Sequence, residues 1–354
     1  MRASVRPELR ARLWPTAALL LAVLAAGPLL AAEGLVNTRA GGDSPFLLLR
    51  LYELRANLRA GVFPARWMPD AAYGLGYPFF NYYASLPYYL AALLSLGGAG
   101  ILWALKLTQL LGFLAAAAAM YALADALFDD QPAALLSAAA YTFAPFHMVN
   151  VYVRGDSLSE FYAFAFYPLI LWSIVRLGRR PTVGRMLVVS LSYGGLMLTH
   201  NISALIFTPL VGTALLLAVL AGSRSRAWRT LLLGAAGLLL GAGLSAWFWV
   251  PALRERAAAS LGDMMTGYFH YAGHFRWHDL VQPGLVFDYT IAPRQTPFSL
   301  GGLQAALGAA SLAVLGLRAV STFLQRAGRR LQAPARLVGS LFLLFYAEIG
   351  RAHV

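Results

Sequence analysis

Long apolar runs recur along this chain, and no other feature restricts its fold as strongly. Each is close to the roughly 20 residues that a helix needs to cross a bilayer. With 12% charged residues and a mean hydropathy of +0.63, the chain is far more apolar than a soluble domain. The pattern predicts an all-α, polytopic helical bundle over residues 1–347, with spans at 13–32, 101–124, 132–150, 161–175, 186–199, 202–221, 231–250 and 300–317 and a partial span at 337–347.

The basic residues indicate how these spans are oriented. If residues 85–98 do not cross the membrane, the basic segments 176–185, 223–229 and 318–336 all fall on one face, which the positive-inside rule assigns to the cytoplasm. The N-terminus is then cytoplasmic, and the large outer loops are residues 33–100 and 251–299. The basic residues that give the net charge of +13 lie mainly in short loops between the apolar runs, as the positive-inside bias places them, so we expect no nucleic-acid partner.

The first apolar run has two interpretations. A signal peptide cleaved after Ala32 is one of them, but residues 13–32 are long for a signal-peptide core. An uncleaved membrane anchor therefore fits the run better.

An unusual stretch, residues 41–90, fills most of the first outer loop. Its first half is apolar at helical spacing, with Arg50 and Glu53 placed three residues apart to pair, and predicts an amphipathic helix. Its second half is rich in aromatic residues and glycine, which favours a membrane–water boundary. Asp43 precedes the helix and is either its N-cap or the acid of a site.

A second polar group lies between two later spans. Arg154 has a planar guanidinium suited to an anionic head group. Asp156 and Glu160 share a helix face, where they bind a substrate or simply stabilise the N-terminus of the helix. His200 and Asn201 occupy a tight turn and have the same two interpretations, substrate contact or helix capping.

Metal binding receives little support from the sequence. His270, His274 and His278 recur every four residues, but no flanking motif accompanies them. Carboxylates and phosphate oxygens suit Mg²⁺ or Mn²⁺, although the sequence requires neither ion. Phosphate-binding loops, dinucleotide fingerprints and nucleophile elbows are absent from the sequence.

Several segments resemble one known family. They resemble the membrane proteins described as 6-pyruvoyl-tetrahydropterin synthase-related, which are akin to YfhO-like proteins and to the GT-C glycosyltransferase clan. The similarity covers roughly residues 33–317 and is carried by residues 63–70 (FPARWMPD), 74–83 (GLGYPFFNYY), 86–89 (LPYY), 152–156 (YVRGD) with Glu160 and Pro168, 199–201 (THN) and 244–251 (LSAWFWVP).

The resemblance implies a GT-C-like bundle whose large first outer loop contains interfacial or re-entrant helices. It also implies a glycosyltransferase that moves a sugar from a polyprenyl-phosphate donor to an envelope glycan or lipid acceptor on the outer face. By position, Asp43 matches the acid that acts near the transferred sugar. A histidine expected shortly after that acid is replaced here by Leu47 and Leu48.

The chemistry of an inverting transfer assigns roles to the polar residues. Such a transfer needs a base for the acceptor hydroxyl and cations for the phosphate leaving group. We therefore expect Asp43 to be the base, and Arg154 and Arg66 to hold the phosphate. The candidates for orienting the sugar or the acceptor are Glu53, Asp156, Glu160, His200 and Asn201.

Two other functions remain open at this stage. A lipid or polysaccharide transporter would need a polar path along the spans, where Lys106, Thr108 and Gln109 are the main polar residues. A non-catalytic scaffold for envelope assembly would use the same fold. Residues 348–354 (EIGRAHV) interrupt an apolar run, and we expect them to be foreign to a natural protein that continues further.

Overall fold

A computed structural model describes residues 7–36, 44–154, 157–259, 266, 280–282 and 300–326 of the chain. Over these residues the fold is helical, and the only β-structure consists of two isolated bridges. The all-α prediction is therefore confirmed. The helices are α1 (Pro7–Ala31), α2 (Ser44–Arg59), α3 (Phe79–Tyr82), α4 (Leu86–Leu96), α5 (Ile101–Phe128), α6 (Gln131–Thr142), α7 (Pro145–Tyr152), α8 (Leu158–Arg179), α9 (Val183–Thr199), α10 (Asn201–Leu220), α11 (Arg224–Leu244), α12 (Ala246–Arg254) and α13 (Gly302–Arg326).

Membrane-spanning character is clearest in five helices of the described part. The segments long and apolar enough to cross a bilayer are Leu13–Ala31, Ile101–Phe128, Leu158–Arg179, Asn201–Leu220 and Arg224–Leu244. Helices α4 and α9 are apolar but shorter. The partial span predicted at 337–347 and the tail 348–354 lie outside the described residues.

The chain forms two compact units, residues 1–256 and 257–354. In the first unit α5 packs against α1, α6 and α8, while α9 packs against α8 and α11. In the second unit, Val281 and Leu300 form a parallel bridge, and α13 follows directly.

The loops of the first unit gather at its two ends. At one end, which we call the loop face, the Lys106 ammonium near the start of α5 donates to the Ala32 carbonyl that follows α1. At the other end, Arg179 donates to the Ala126 carbonyl, so the basic turn after α8 lies there. The basic turn is thus at the end of the bundle away from the loop face. That this end faces the cytoplasm stays a prediction.

One predicted span is interrupted. The sequence predicted a single helix over 132–150, but α6 ends at Thr142 and α7 begins at Pro145. Pro145 has no backbone N–H and disfavours a helical conformation in the residue before it. The N-terminus of α6 is capped by Asp130, whose carboxylate accepts a hydrogen bond from the Ala133 N–H at 2.9 Å.

The last long helix of the first unit also ends earlier than predicted. The sequence predicted a span over 231–250, whereas α11 covers Arg224–Leu244 and α12 follows after Ser245. The Ser245 hydroxyl donates to the carbonyls of Gly241 and Ala242 at 3.0 Å, which competes with regular helical bonding at this point.

Glycines allow α9 and α11 to touch along their backbones. A Cβ added to Gly241 would lie 2.6 Å from the Ser190 carbonyl oxygen, and one added to Gly194 would lie 2.8 Å from the Gly241 carbonyl oxygen. Such close approach is typical of helix pairs in membranes, where packing rather than water exclusion drives association.

At the loop face, α2 supports the first outer loop. It buries the apolar side chains of Leu47, Leu51 and Leu54, as the amphipathic pattern predicted. Residues 62–78 fold over this helix, and an antiparallel bridge joins Met68 to Tyr77. Helix α4 has 11 residues, too few for a span of about 20; how deeply it enters a bilayer stays a prediction.

Candidate functional site

A partly buried ion pair connects the turn after α7 to the first turn of α8 at the loop face. One guanidinium nitrogen of Arg154 donates to the Glu160 carboxylate and, at 3.2 Å, to the Asn150 side-chain oxygen. The Ser157 hydroxyl donates to the same carboxylate oxygen at 3.2 Å. The side chain of Glu160 is 5% exposed and that of Arg154 is 31% exposed. Because Glu160 also lies in the first turn of α8, the helix dipole stabilises its charge as well.

Tyr83 extends this cluster towards the first outer loop. Its ring stacks on Phe79, with centroids 4.6 Å apart, and meets the His200 ring edge-on at 6.3 Å. Its hydroxyl hydrogen-bonds with Ser159, whose own hydroxyl donates to the Ala84 carbonyl at 3.0 Å. Burial is the main reason that the pKa of Tyr83 is raised above its ordinary value, so the hydroxyl stays protonated.

Arg50 is a member of the cluster that the sequence did not indicate as a site residue. Its guanidinium carbon lies 4.4 Å from the centroid of the Phe79 ring and 5.7 Å from that of Tyr83. It donates to the Tyr88 hydroxyl at 3.2 Å. The sequence suggested only a pair with Glu53, because the aromatic partners come from the loop that folds back over α2.

His200 serves as the N-cap of α10. Its Nδ1 accepts from the Ser203 N–H at 3.4 Å and lies 2.7 Å from the Ser203 hydroxyl. The capping interpretation is therefore correct, and the same ring also faces Tyr83. Asn201 contacts the first outer loop, since its side-chain nitrogen lies 3.5 Å from the Tyr82 carbonyl oxygen.

A second polar network ties the first outer loop to α12. Arg66 donates to the Asn81 side-chain oxygen at 2.9 Å and to the Trp247 carbonyl at 3.0 Å. The Asn81 nitrogen donates to the Glu255 carboxylate at 2.8 Å, and the Tyr82 hydroxyl donates to the Glu255 carbonyl at 2.9 Å. These bonds give Arg66 a structural role, and its phosphate contact stays a prediction.

Glu53 contacts the backbone of the first outer loop and belongs to neither of these two networks. Its side chain is fully buried, and Oε2 accepts from the Asp70 N–H at 3.4 Å, while Oε1 has no partner. Desolvation by burial raises the pKa of this carboxyl above its ordinary value. Nearby, the Asn57 amide donates to the Trp67 carbonyl at 3.0 Å. The geometry therefore favours a loop-supporting role for Glu53.

Some predicted site residues lie outside the described part of the chain. These residues are Asp43, Asp156, His270, His274 and His278. Asp43 directly precedes Ser44, the first residue of α2. Among the described residues, no three His, Asp or Glu side chains are grouped closely enough to hold a metal ion.

One similar protein is an uncharacterized protein of Lactococcus lactis subsp. cremoris (strain MG1363). The two chains are 24% identical over 249 residues, which make up 69% of this chain and 40% of the relative. The chain thus corresponds to less than half the length of that relative.

A family match covers most of the loop-face cluster. Residues 80–272, more than half of the chain, match the family described as 6-pyruvoyl-tetrahydropterin synthase related domain, a membrane protein family. The match includes Arg154, Glu160 and His200, whereas Arg50 and Glu53 precede it. This chain therefore belongs to the 6-pyruvoyl-tetrahydropterin synthase related family of membrane proteins.

Proposed function

We propose that this protein is a membrane glycosyltransferase of the GT-C type. It transfers a sugar from a polyprenyl-phosphate donor to an envelope glycan or lipid acceptor on the outer face of the membrane. One observation carries the proposal. Arg50, from α2, and Arg154, from the turn before α8, converge on the region of Tyr83 and Glu160 at one end of the helical bundle.

This arrangement suits a phosphate leaving group. When the acceptor oxygen attacks the anomeric carbon, the bond from that carbon to the phosphate oxygen breaks and the polyprenyl phosphate gains negative charge. Guanidinium groups held in place before the reaction stabilise that charge without reorganising. Glu160 and Asn150 hold Arg154, while Asn81 and the Trp247 carbonyl hold Arg66.

Asp43 is the proposed base and takes the proton of the acceptor hydroxyl as the new glycosidic bond forms. It stands one residue before α2, the helix that carries Arg50. The Tyr83 ring meets the His200 ring and lies beside Arg50, and we propose that a sugar ring packs against this aromatic pair. Asp156, Glu160 and Asn201 complete the polar groups proposed to orient the sugar or the acceptor.

The contacts of the polar residues in α5 support an enzyme over a transporter. The Lys106 ammonium donates to the Ala32 carbonyl, and the Thr108 hydroxyl donates to the Ala104 carbonyl at 2.8 Å. The first bond joins α5 to the end of α1 and the second lies within α5, so both groups have partners inside the bundle. Of the three polar residues in this part of α5, only Gln109 retains a buried oxygen without a partner.

The test is a transfer assay with the purified full-length protein and a labelled polyprenyl-phosphate sugar. Wild type is compared with Asp43→Asn and with Asp129→Asn as the control. Asp129 is the C-cap of α5, away from the loop face, with a φ of 52°, a conformation that asparagine tolerates. We expect the wild type and the control to release polyprenyl phosphate and the Asp43 variant to lose that activity.

Two outcomes would contradict parts of the proposal. If no envelope acceptor supports release of polyprenyl phosphate by the wild type, the enzyme assignment fails. If Asp43→Asn retains wild-type activity, the assignment of the base fails while the enzyme assignment stands.

A further inference from the structure

The first outer loop presents apolar side chains that the described residues of the first unit leave exposed. Tyr73 is fully exposed, Leu75 is 83% exposed and Phe63 is 68% exposed. Trp67 and Tyr77 are also about half exposed on the same loop. We refer to Tyr73 and Leu75 together as the tip. Exposed apolar groups that cluster in this way mark a surface that binds a protein, a membrane or a ligand.

Backbone hydrogen bonds and a tryptophan contact define the conformation of the loop below its tip. The Met68 and Tyr77 backbones exchange hydrogen bonds of 2.8 and 3.0 Å at its base. Tyr73 has a φ of 61°, an uncommon conformation for a tyrosine, and Gly76 has a φ of 84°. The Trp67 indole covers Gly76 so closely that a Cβ there would lie 2.0 Å from its nitrogen. Backbone strain of this kind persists only where the surrounding structure fixes it.

The loop adjoins the end of a spanning helix. The Phe63 ring lies 5.7 Å from both the Tyr89 ring and the Trp247 ring. Trp247 stands three residues after Leu244, where α11 ends. Leu240 and Leu244, one turn apart on α11, are exposed, as is Trp247. An exposed apolar surface therefore continues from the side of α11 through Trp247 to Phe63.

Exposed basic residues flank this surface. Arg59 ends α2 just before the loop, and Arg254 and Arg256 lie on either side of Glu255, which is bonded to Asn81. Aromatic rings at the boundary and guanidinium groups at the phosphate level are what a phospholipid surface binds. A glycan surface would call for polar partners beside the aromatic rings rather than Leu75.

We propose that residues 62–77 form a lipid-binding wedge: the tip enters the headgroup region of the adjacent leaflet, and Phe63 and Trp247 lie at its boundary with the acyl chains. The wedge fixes the depth of the loop face relative to the lipid. This inference concerns membrane contact and does not depend on glycosyl transfer.

The absence of cysteine from the chain makes a direct test practical. A spin label is attached to Leu75→Cys in the full-length protein, reconstituted in nanodiscs of phosphatidylethanolamine and phosphatidylglycerol. Collisions of the label with oxygen and with a water-soluble nickel chelate report its depth. Leu239→Cys on the exposed side of α11 supplies the lipid reference, and Ser225→Cys in the exposed first turn of α11 supplies the aqueous reference.

We expect the nickel collision rate at Leu75 to lie below that at Ser225 and above that at Leu239, and its oxygen rate to lie between those of the two references. A nickel rate at Leu75 equal to that at Ser225 overturns the proposal and indicates that the tip faces water. In a second arm, Tyr73→Ser is added to a Val62→Cys label. The wedge predicts a higher nickel rate at Val62 in that variant, and an unchanged rate contradicts an anchoring role for the tip.

Discussion

The contact between α9 and α11 makes the fold sensitive to one methyl group. Replacing Gly241 with alanine places a Cβ 2.6 Å from the Ser190 carbonyl oxygen and 3.1 Å from the Gly194 nitrogen. Both neighbours are backbone atoms, so no side-chain rotation can relieve the overlap. Because ordinary contact begins near 3.4 Å, the two helices must separate by several tenths of an ångström.

The expected cost follows from comparison with a neighbouring glycine. Gly243 lies on the same helix, and a Cβ there would meet nothing within 4 Å. Both changes to alanine gain about 0.5–1 kcal/mol of helical preference, so that gain cancels between the two variants. The remaining difference is the overpacking at Gly241, which costs about 1–3 kcal/mol.

Thermal unfolding measures this difference. The full-length protein and both variants are heated in the same detergent at one heating rate, with tryptophan fluorescence as the signal, because membrane proteins unfold irreversibly in many cases. For domains of 150–250 residues, 1 kcal/mol corresponds to about 2–4 °C, so Gly241→Ala should unfold several degrees below Gly243→Ala. A midpoint for Gly241→Ala at or above that of Gly243→Ala would refute direct backbone contact between α9 and α11.

Two further predictions use the same measurement. Because burial raises the pKa of Glu53 in the folded state, the contribution of this group to the free energy of unfolding is fully present below the unfolded-state pKa and is lost as pH rises through the folded-state pKa. Glu53→Gln should remove this part of the pH dependence, and parallel pH profiles for the two proteins would contradict it. Asn81→Leu removes the bonds to Arg66 and Glu255 and should cost about 1–3 kcal/mol, whereas an unchanged midpoint would show that this bridge adds nothing to stability.

Local features of the sequence were enough to predict much of the helical framework. The apolar spacing of Leu47, Leu51 and Leu54 predicted α2, and the length of residues 186–221 predicted the turn at His200. The break before Pro145 also had a local signal, because proline disfavours a continuous helix. That signal was outweighed by the nearly uniform apolar character of residues 132–150.

The arrangement of the site depends on tertiary contacts and was therefore harder to predict. Arg50 meets Phe79 only because residues 62–78 fold back over α2, and nothing near Arg50 in the sequence specifies that fold. The same loop buries Glu53, which was expected to orient a sugar. Arg154 and Glu160 are six residues apart, close enough for the sequence to place them on one surface but not to show that they pair.

The bond between Asn81 and Glu255 joins residues that are 174 positions apart. A ribosome makes Asn81 long before it makes Glu255, and α5 to α12 are synthesised in between. Until the last long helix of the first unit has been made, Asn81 of the first outer loop therefore lacks Glu255, and Arg66 lacks the Trp247 carbonyl. Completion of the loop face is thus a late event in the biogenesis of this protein, and a nascent chain that stops before Glu255 would lack this closing contact.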